Sequence, residues 1–389
     1  MQRKMADRKE AVKTVVHVMG YDSKKFGGLE RYILDLAKAA APKGIKIVVM
    51  YNLKPKSEEY LQQLKENNIE LYVANALKPK EFFKVFYKVM KLHKPAIIHS
   101  HFQPLWPGIF GYMLGCKHRW NTIRLMLVDE NIKEADNISQ LKKSTRIYRA
   151  LINKFNTRFF AVSNAVNKQY TTFYPSHAHK FEVLHNGGKT NPFSKEESRA
   201  KLGFSNDTLY ICCIAFASKT KGVDILIDAV NELTKKGINK PFKLCLIGLM
   251  EGAEITNQLM DSIKKYGLQD KVINFGIINN VPEVLPAMDI FVQPSRSESL
   301  SNSIIEAGFA GVPAIGSDVG GIPEVIVNNK TGMLFPVGDF KELANKLETL
   351  LTNDGLRQEM GAKSRQHKID NFLMQDKINT LINYYISAK

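Results

Sequence analysis

Between Glu298 and Asp318 the chain carries one charged residue, Glu306, set among Ile304, Ile305, Ala307 and Phe309. The segment follows an expected strand, Asp289–Gln293, and passes through a Pro-Ser turn into a helix that Ser301 or Asn302 could cap. A carboxylate placed among core-bound apolar residues is costly unless hydrogen bonds satisfy its oxygens. The two adjacent hydroxyls of a ribose would do that, one to each oxygen. The backbone amides of Leu300 to Ser303, at the positive end of the helix, would suit a diphosphate. A solvated glutamate in the first helical turn, favoured by the same dipole, fits the composition as well. Both readings stand on composition alone.

Such a turn must be held by a sheet. Short apolar strands at Thr14–Met19, Ile45–Tyr51, Ile69–Val73, Ile97–His101 and Phe159–Val162 alternate with helical patterns, as in a parallel sheet covered on both faces. The pattern restarts with strands at Leu209–Ala215, Phe242–Ile247, Val272–Phe275, Asp289–Gln293, Ala314–Ser317 and Gly332–Phe335. The expected class is therefore α/β, with two doubly wound Rossmann-like domains facing a central cleft. The first spans residues 1–186 and the second 187–375, and helix 376–389 packs back on the first. In such domains ligands bind beyond the carboxyl ends of the strands, where the Glu298–Glu306 turn falls.

Length and composition fit this plan. A chain of 389 residues with 44% hydrophobic and 24% charged residues has material for two cores. Cys116, Cys212, Cys213 and Cys245 lack metal-ligand spacing, so no metal site is expected and reduced core thiols are. The amino-terminal residues lack a signal-peptide core and no stretch would span a bilayer, which points to a cytoplasmic protein. The net charge of +17 lies wholly in residues 1–186, where 32 Lys and Arg face 15 Asp and Glu. That half is expected to meet an anionic partner. Lys80, Lys84, Lys88 and Lys91 line one face of a helical stretch with Phe82, Phe83, Phe86, Val89 and Met90 on the other. The aromatic face belongs on the sheet. The lysines, with Lys142, Lys143, Arg146 and Arg149, could face the inner surface of a plasma membrane as a peripheral contact.

The motif set resembles retaining glycosyltransferases of family 4, which have the GT-B fold. Glu298 and Glu306 are followed by Ala307 and the Gly311-Val312-Pro313 turn, then by Gly320-Gly321-Ile322-Pro323-Glu324 and Asn329 to Phe335. Upstream, Lys221-Gly222-Val223-Asp224, Gly27-Gly28-Leu29-Glu30-Arg31, Pro95–His101, Val162-Ser163 and His185-Asn186-Gly187 come in the family's order. The resemblance implies that Glu306 binds the donor ribose and that Glu298 contacts the donor sugar near the reacting carbon. Ser299, Leu300, Ser301 and Asn302 would hold sugar hydroxyls and phosphates, and Lys221 would neutralise the leaving diphosphate where other transferases use a metal. Gly27 and Gly28 would let a loop approach the same phosphates; a plain strand–helix turn is the alternative. Gly276 and Ile278 would meet the base through their backbone.

Two positions depart from the family. Phe216 stands where relatives have a phosphate-clamping Arg, a charge that Lys219 or Arg296 could supply, and the stretch Asn121–Leu127 lacks a strand-end His. His101, which shares a strand face with His99, is a candidate for the cleft or a structural histidine.

The expected reaction moves a sugar from a nucleoside diphosphate sugar, UDP-linked rather than GDP-linked, to a saccharide or polyprenyl-linked acceptor of bacterial surface polysaccharide. The nucleotide sugar is a substrate, so no cofactor is expected. A GT-B-shaped nucleotide-sugar epimerase and a non-catalytic nucleotide-sugar-binding protein are the alternatives. A dinucleotide oxidoreductase would need Gly-x-Gly-x-x-Gly after a first strand, which neither half has. Nucleic acid is not an expected partner, because no basic motif is interleaved with aromatics.

Overall fold

A computed structural model describes residues 13–23, 26–127, 143–214 and 218–388. The chain forms two compact units: Met1–Val162 with Val166–Leu184 and Gln375–Lys389, and Ser163–Ala165 with His185–Met374.

The first unit is built on seven strands: β1 (Lys13–Val18), β2 (Ile45–Tyr51), β3 (Glu70–Val73), β4 (Ile97–His101), β5 (His118–Ile123), β6 (Arg158–Ala161) and β7 (Phe181–Val183). They pair in parallel in the order β3-β2-β1-β4-β5-β6-β7. Strand β2, Ile-Lys-Ile-Val-Val-Met-Tyr, is a near-continuous apolar run, as expected where helices cover both faces. Strand β5, His-Arg-Trp-Asn-Thr-Ile, has no such run, and β7 has three residues. Neither shows a hydrophobic period of its own; β5 holds its place by pairing with β4 and β6 and by burying Trp120, Asn121 and Thr122.

Helix Pro79–His93 buries Phe82, Phe86, Val89 and Met90 against Val16, Val18, Val48, Met50 and Ile98. Each buried Phe is worth about 2 kcal/mol, so the aromatic face is core. Lys80, Lys84, Lys88 and Lys91 remain exposed. Lys94 turns left-handed at φ 43° and Pro95 follows, which ends the helix.

Helix Met374–Ser387 buries Ile378, Leu381, Ile382 and Tyr385, and from Gln375 it belongs to the first unit. Its Tyr385 hydroxyl sits 2.7 Å from His99 Nδ1 and 3.1 Å from His17 Nε2. Spacing along the helix shows which face is apolar; this polar contact fixes where that face docks.

The second unit has six parallel strands: β8 (Leu209–Ile214), β9 (Phe242–Ile247), β10 (Val272–Gly276), β11 (Ile290–Gln293), β12 (Ala314–Ser317) and β13 (Gly332–Phe335). Their order is β10-β9-β8-β11-β12-β13. Its core joins Ile211, Leu226, Val230, Leu244, Val292 and Leu347, all with no more than 1% exposure. The four cysteines are free and buried. Burial pushes the Cys213 and Cys245 thiols up to about 12, so they remain protonated. Among the described residues no helix is long and apolar enough to cross a membrane.

Candidate active site

Strand β11 ends at Gln293, and the loop beyond it is pinned from beneath by small polar side chains. Gln293 Nε2 donates to Ser295 Oγ at 2.8 Å, and Ser301 Oγ donates to Gln293 Oε1 at 3.2 Å. Ser317 Oγ donates to the Ser295 carbonyl at 2.5 Å. All four residues are at most 3% exposed, so every polar atom they bury needs these partners. Ser301 is also the N-cap of helix Asn302–Phe309, accepting from Ile304 N at 3.3 Å. Asn302 is therefore the first helical residue, and its side-chain oxygen accepts from Asn186 Nδ2 at 3.1 Å.

This capping corrects one expectation. With Ser301 as cap, Glu306 is the fifth helical residue and no acid lies in the first turn. The dipole-stabilised first-turn reading fails because the dipole's effect is confined to that turn. Nor is Glu306 fully buried; it is half-buried. The apolar residues beside it face inward, while its own position on the helix keeps the carboxylate within reach of solvent.

Two glycine contacts fix the loop from the sides. A Cβ on Gly320 would lie 1.9 Å from the Glu298 carbonyl oxygen, and Gly321 N donates to that oxygen at 3.0 Å. Gly222, at φ +65°, would put a Cβ 1.9 Å from the Pro294 carbonyl oxygen. Only glycine lets the Lys219–Lys221 turn close on the loop this tightly. As a result Lys221 Nζ donates to Glu298 Oε2 at 2.7 Å, with side chains 29% and 12% exposed.

Arg296 departs from the reading in which it replaces a missing phosphate clamp. Its guanidinium forks onto Asp224, at 2.8 Å to Oδ1 and 2.6 Å to Oδ2, and also donates to the Lys219 carbonyl at 2.8 Å. Its charge is already matched, so it ties the lysine turn to the loop. Phe216 lies outside the described residues.

Thus Lys221, Arg296, Glu298 and Ser299 to Asn302 form one group at the carboxyl end of β11, with Glu306 further along the same helix. Leu300 and Ser301 are buried, so among Ser299 to Asn302 only Ser299 and Asn302 present side chains to solvent. Gly276 ends edge strand β10 and Ile278 follows it, at the same end of the sheet but beyond β8 and β9. Gly276 has φ +60°, and its carbonyl accepts from Gly248 N at 2.6 Å.

In the first unit, Gly27 caps helix Gly28–Ala40 and its N–H donates to Glu30 Oε2 at 3.0 Å. Glu30, 3% exposed, also accepts from Tyr21 at 2.5 Å and Ser23 at 2.6 Å. A Cβ on Gly28 would meet nothing within 4 Å, so packing within the chain does not demand glycine there. His101 is not at an accessible strand end. It is fully buried, with Nε2 3.1 Å from His17 Nδ1. His17, His99 and His101 share one face of neighbouring strands, and their ligating atoms lie within 4.8 Å of one another. Their nitrogens are engaged with each other, Tyr385 and the Thr122 hydroxyl, save His101 Nδ1. A metal ion would have to displace those bonds. Burial, with Arg124 adding to it, holds His17 down to about 3, so it is neutral. Of the two readings of His101, cleft or structural, its burial beside His17 favours the structural one; reading β4 alone could not show that β1 sets His17 against it.

Glu324 went unassigned by sequence. Its carboxylate accepts from Asn164 N, Asn164 Nδ2 and Ala165 N and meets His185 Nε2, each at 2.8 Å. Burial opposes its charge, but these bonds outweigh that and hold its carboxyl below the usual range. It ties both chain crossings, Ser163–Ala165 and His185, into the second unit; the adjacent Gly-Gly-Ile-Pro-Glu and His-Asn-Gly motifs were its only signal.

Residues 26–191 match the family model described as Glycosyltransferase Family 4, and residues 194–367 match Glycosyl transferases group 1. N-acetyl-alpha-D-glucosaminyl L-malate synthase of Bacillus anthracis is 32% identical over 174 residues, 45% of this chain and 44% of that protein. The capsular polysaccharide biosynthesis glycosyltransferase CapM of Staphylococcus aureus is 26% identical over 243 residues, 59% of this chain and 62% of that one. These alignments span roughly half of each relative. Among solved structures, Anabaena HepE in complex with UDP superposes with a TM-score of 0.77 over 97% of this chain and 100% of that one, at 20% identity. The two sheets are the Rossmann-like pair of the GT-B fold, and with both halves matched in order the chain belongs to the group 1, family 4 glycosyltransferases.

Proposed function

We propose that the protein transfers a sugar from a nucleoside diphosphate sugar to a saccharide or polyprenyl-linked acceptor of bacterial surface polysaccharide, with retention at the anomeric carbon. The observation that carries this reading is the Lys221–Glu298 pair, 2.7 Å apart beside the capped end of helix Asn302–Phe309. As the donor's glycosidic bond breaks, negative charge grows on the diphosphate. Lys221 and the loop amides stabilise it where another transferase would place a metal ion. Glu298 contacts the donor sugar, and half-buried Glu306 accepts from the ribose hydroxyls. UDP is the proposed nucleotide; HepE was solved with it. The names of the Bacillus and Staphylococcus relatives support sugar transfer and, for CapM, capsule assembly.

The test is thermal unfolding against a panel of UDP- and GDP-sugars. A bound donor stabilises the folded state, by about 2.7 kcal/mol at a hundred times its Kd. A raised midpoint with one UDP-sugar is expected; no shift with any nucleotide sugar defeats the reading.

We further propose that the protein sits reversibly on the cytoplasmic face of an anionic bilayer. Lys80, Lys84, Lys88 and Lys91 are exposed on helix Pro79–His93, with Tyr87 and Leu92 exposed on the same helix. Each lysine near such a surface contributes about 1 kcal/mol. Arg149 does not join them, since it is turned inward onto Tyr170, and Lys142 is outside the described residues. Co-sedimentation with phosphatidylglycerol vesicles should fall as salt rises, and further in Lys84→Glu/Lys88→Glu; salt-independent binding rejects the contact.

A further inference from the structure

Within the first unit, at the carboxyl ends of β4 and β5, lies a cavity of about 110 Å³. Its walls include Phe102, Asn121, Arg124, Arg149, Asn153 and Tyr174, and among the described residues no Asp or Glu lines it. Four polar atoms of these walls, Asn121 Oδ1, Arg149 Nε, Asn153 Nδ2 and the Tyr174 hydroxyl, are buried and have no hydrogen-bond partner. Asn121, Asn153 and Tyr174 are 5%, 3% and 7% exposed. Buried polar atoms without a partner are few in native interiors, and each is costly to leave unpaired. Four around one space call for something that fills it.

The atoms specify its chemistry. Arg149 Nε, Asn153 Nδ2 and the Tyr174 hydroxyl are donors, and two guanidinium groups stand in the wall; Asn121 Oδ1 is an acceptor and needs a donor from the ligand. Burial pushes the Tyr174 phenol up to about 12, which keeps it protonated. Arg149 is held in advance, since its Nη1 donates to the Tyr170 hydroxyl at 2.6 Å and its guanidinium lies 5.3 Å from that ring's centre. Phe102 in the wall adopts φ +67°, a left-handed conformation that a side chain of its size rarely takes. Strain of this kind collects at ligand sites.

We propose that this cavity binds a compact hydroxylated anion, a phosphate or carboxylate carrying a neighbouring hydroxyl. Arg149, Asn153 and Tyr174 take the anion, and Asn121 accepts from the hydroxyl. That the anion is part of the sugar acceptor rests on the transferase reading above; that the cavity binds it does not.

Calorimetric titration of the full chain with glycerol 3-phosphate, inorganic phosphate and glycerol tests the assignment. Saturable one-to-one binding of glycerol 3-phosphate is expected, at least tenfold tighter than phosphate, with no heat from glycerol. Tyr174→Phe removes a hydroxyl that bonds to nothing in the chain, so its unfolding midpoint should not fall while affinity drops about fivefold. Arg149→Gln should abolish binding. Displacement of glycerol 3-phosphate by phosphatidylglycerol vesicles would identify a lipid head group as the source, and no displacement a free small acceptor; both retain the cavity assignment. No saturable binding of either anion, or undiminished binding in both variants, overturns it and leaves a water-filled cavity. Binding without any sugar transfer would sink the transferase reading and leave the cavity assignment standing.

Discussion

Replacing Lys221 with Ala is expected to lower the transfer rate about a hundredfold, with a smaller change in donor KM. The ammonium sits 2.7 Å from Glu298 on a turn that Gly222 clamps to the site loop, so its backbone is positioned before any donor arrives. Removing one preorganised group of this kind typically costs about 10²–10³ in rate, or roughly 3–4 kcal/mol of barrier. A structural ion pair makes a different prediction. Were Lys221 there only to match Glu298, the double variant Lys221→Ala/Glu298→Ala would regain most of the activity, because no uncompensated half-buried carboxylate would remain. If both groups act on the donor, the double variant stays as slow as the worse single one, since groups acting as a unit are not additive. Steady-state kinetics on the four proteins decides it; a wild-type rate in Lys221→Ala removes the lysine from the reaction.

The second large effect is expected at Glu306. Glu306→Ala should weaken donor binding about a hundredfold, because two hydrogen bonds to a carboxylate disappear at about 1.5 kcal/mol or more each. Nucleoside diphosphate alone should lose affinity by a similar factor, which separates a ribose contact from a contact to the sugar. Glu306→Gln keeps the shape and one acceptor and should fall between the two. Calorimetry of UDP binding, with unfolding midpoints to confirm a folded protein, checks this. Equal affinity in Glu306→Ala and the native chain discards the ribose assignment.

The α/β alternation, the strands of the second sheet, the burial of all four cysteines and the apolar face of helix Pro79–His93 were all legible in the sequence, because each depends on local periodicity. The position of Ser301 as a cap was legible too, though Asn302 competed for it. Strand β5 was harder to read because its stability comes from partners on β4 and β6 and from a buried Thr122 hydroxyl serving His99.

The site divides along the same line. The residue types, two glutamates on one loop and helix with a Lys-Gly turn upstream, are visible in one dimension. Which charge meets which is not. Arg296 was a free cation on paper and is matched by Asp224 seventy-two residues away; His101 was a strand end and is covered by His17 eighty-four residues away. The unpartnered wall of the first-unit cavity comes from strand β5, helix Lys143–Phe155 and Tyr174, just beyond helix Asn164–Phe173. By itself the sequence determined the elements and the chemical groups available, since periodicity, capping and turn preference act over a few residues. Only the tertiary structure decided which groups are paired, buried or left open to a ligand, because hydrogen bonding and desolvation depend on neighbours that the chain brings together from far apart.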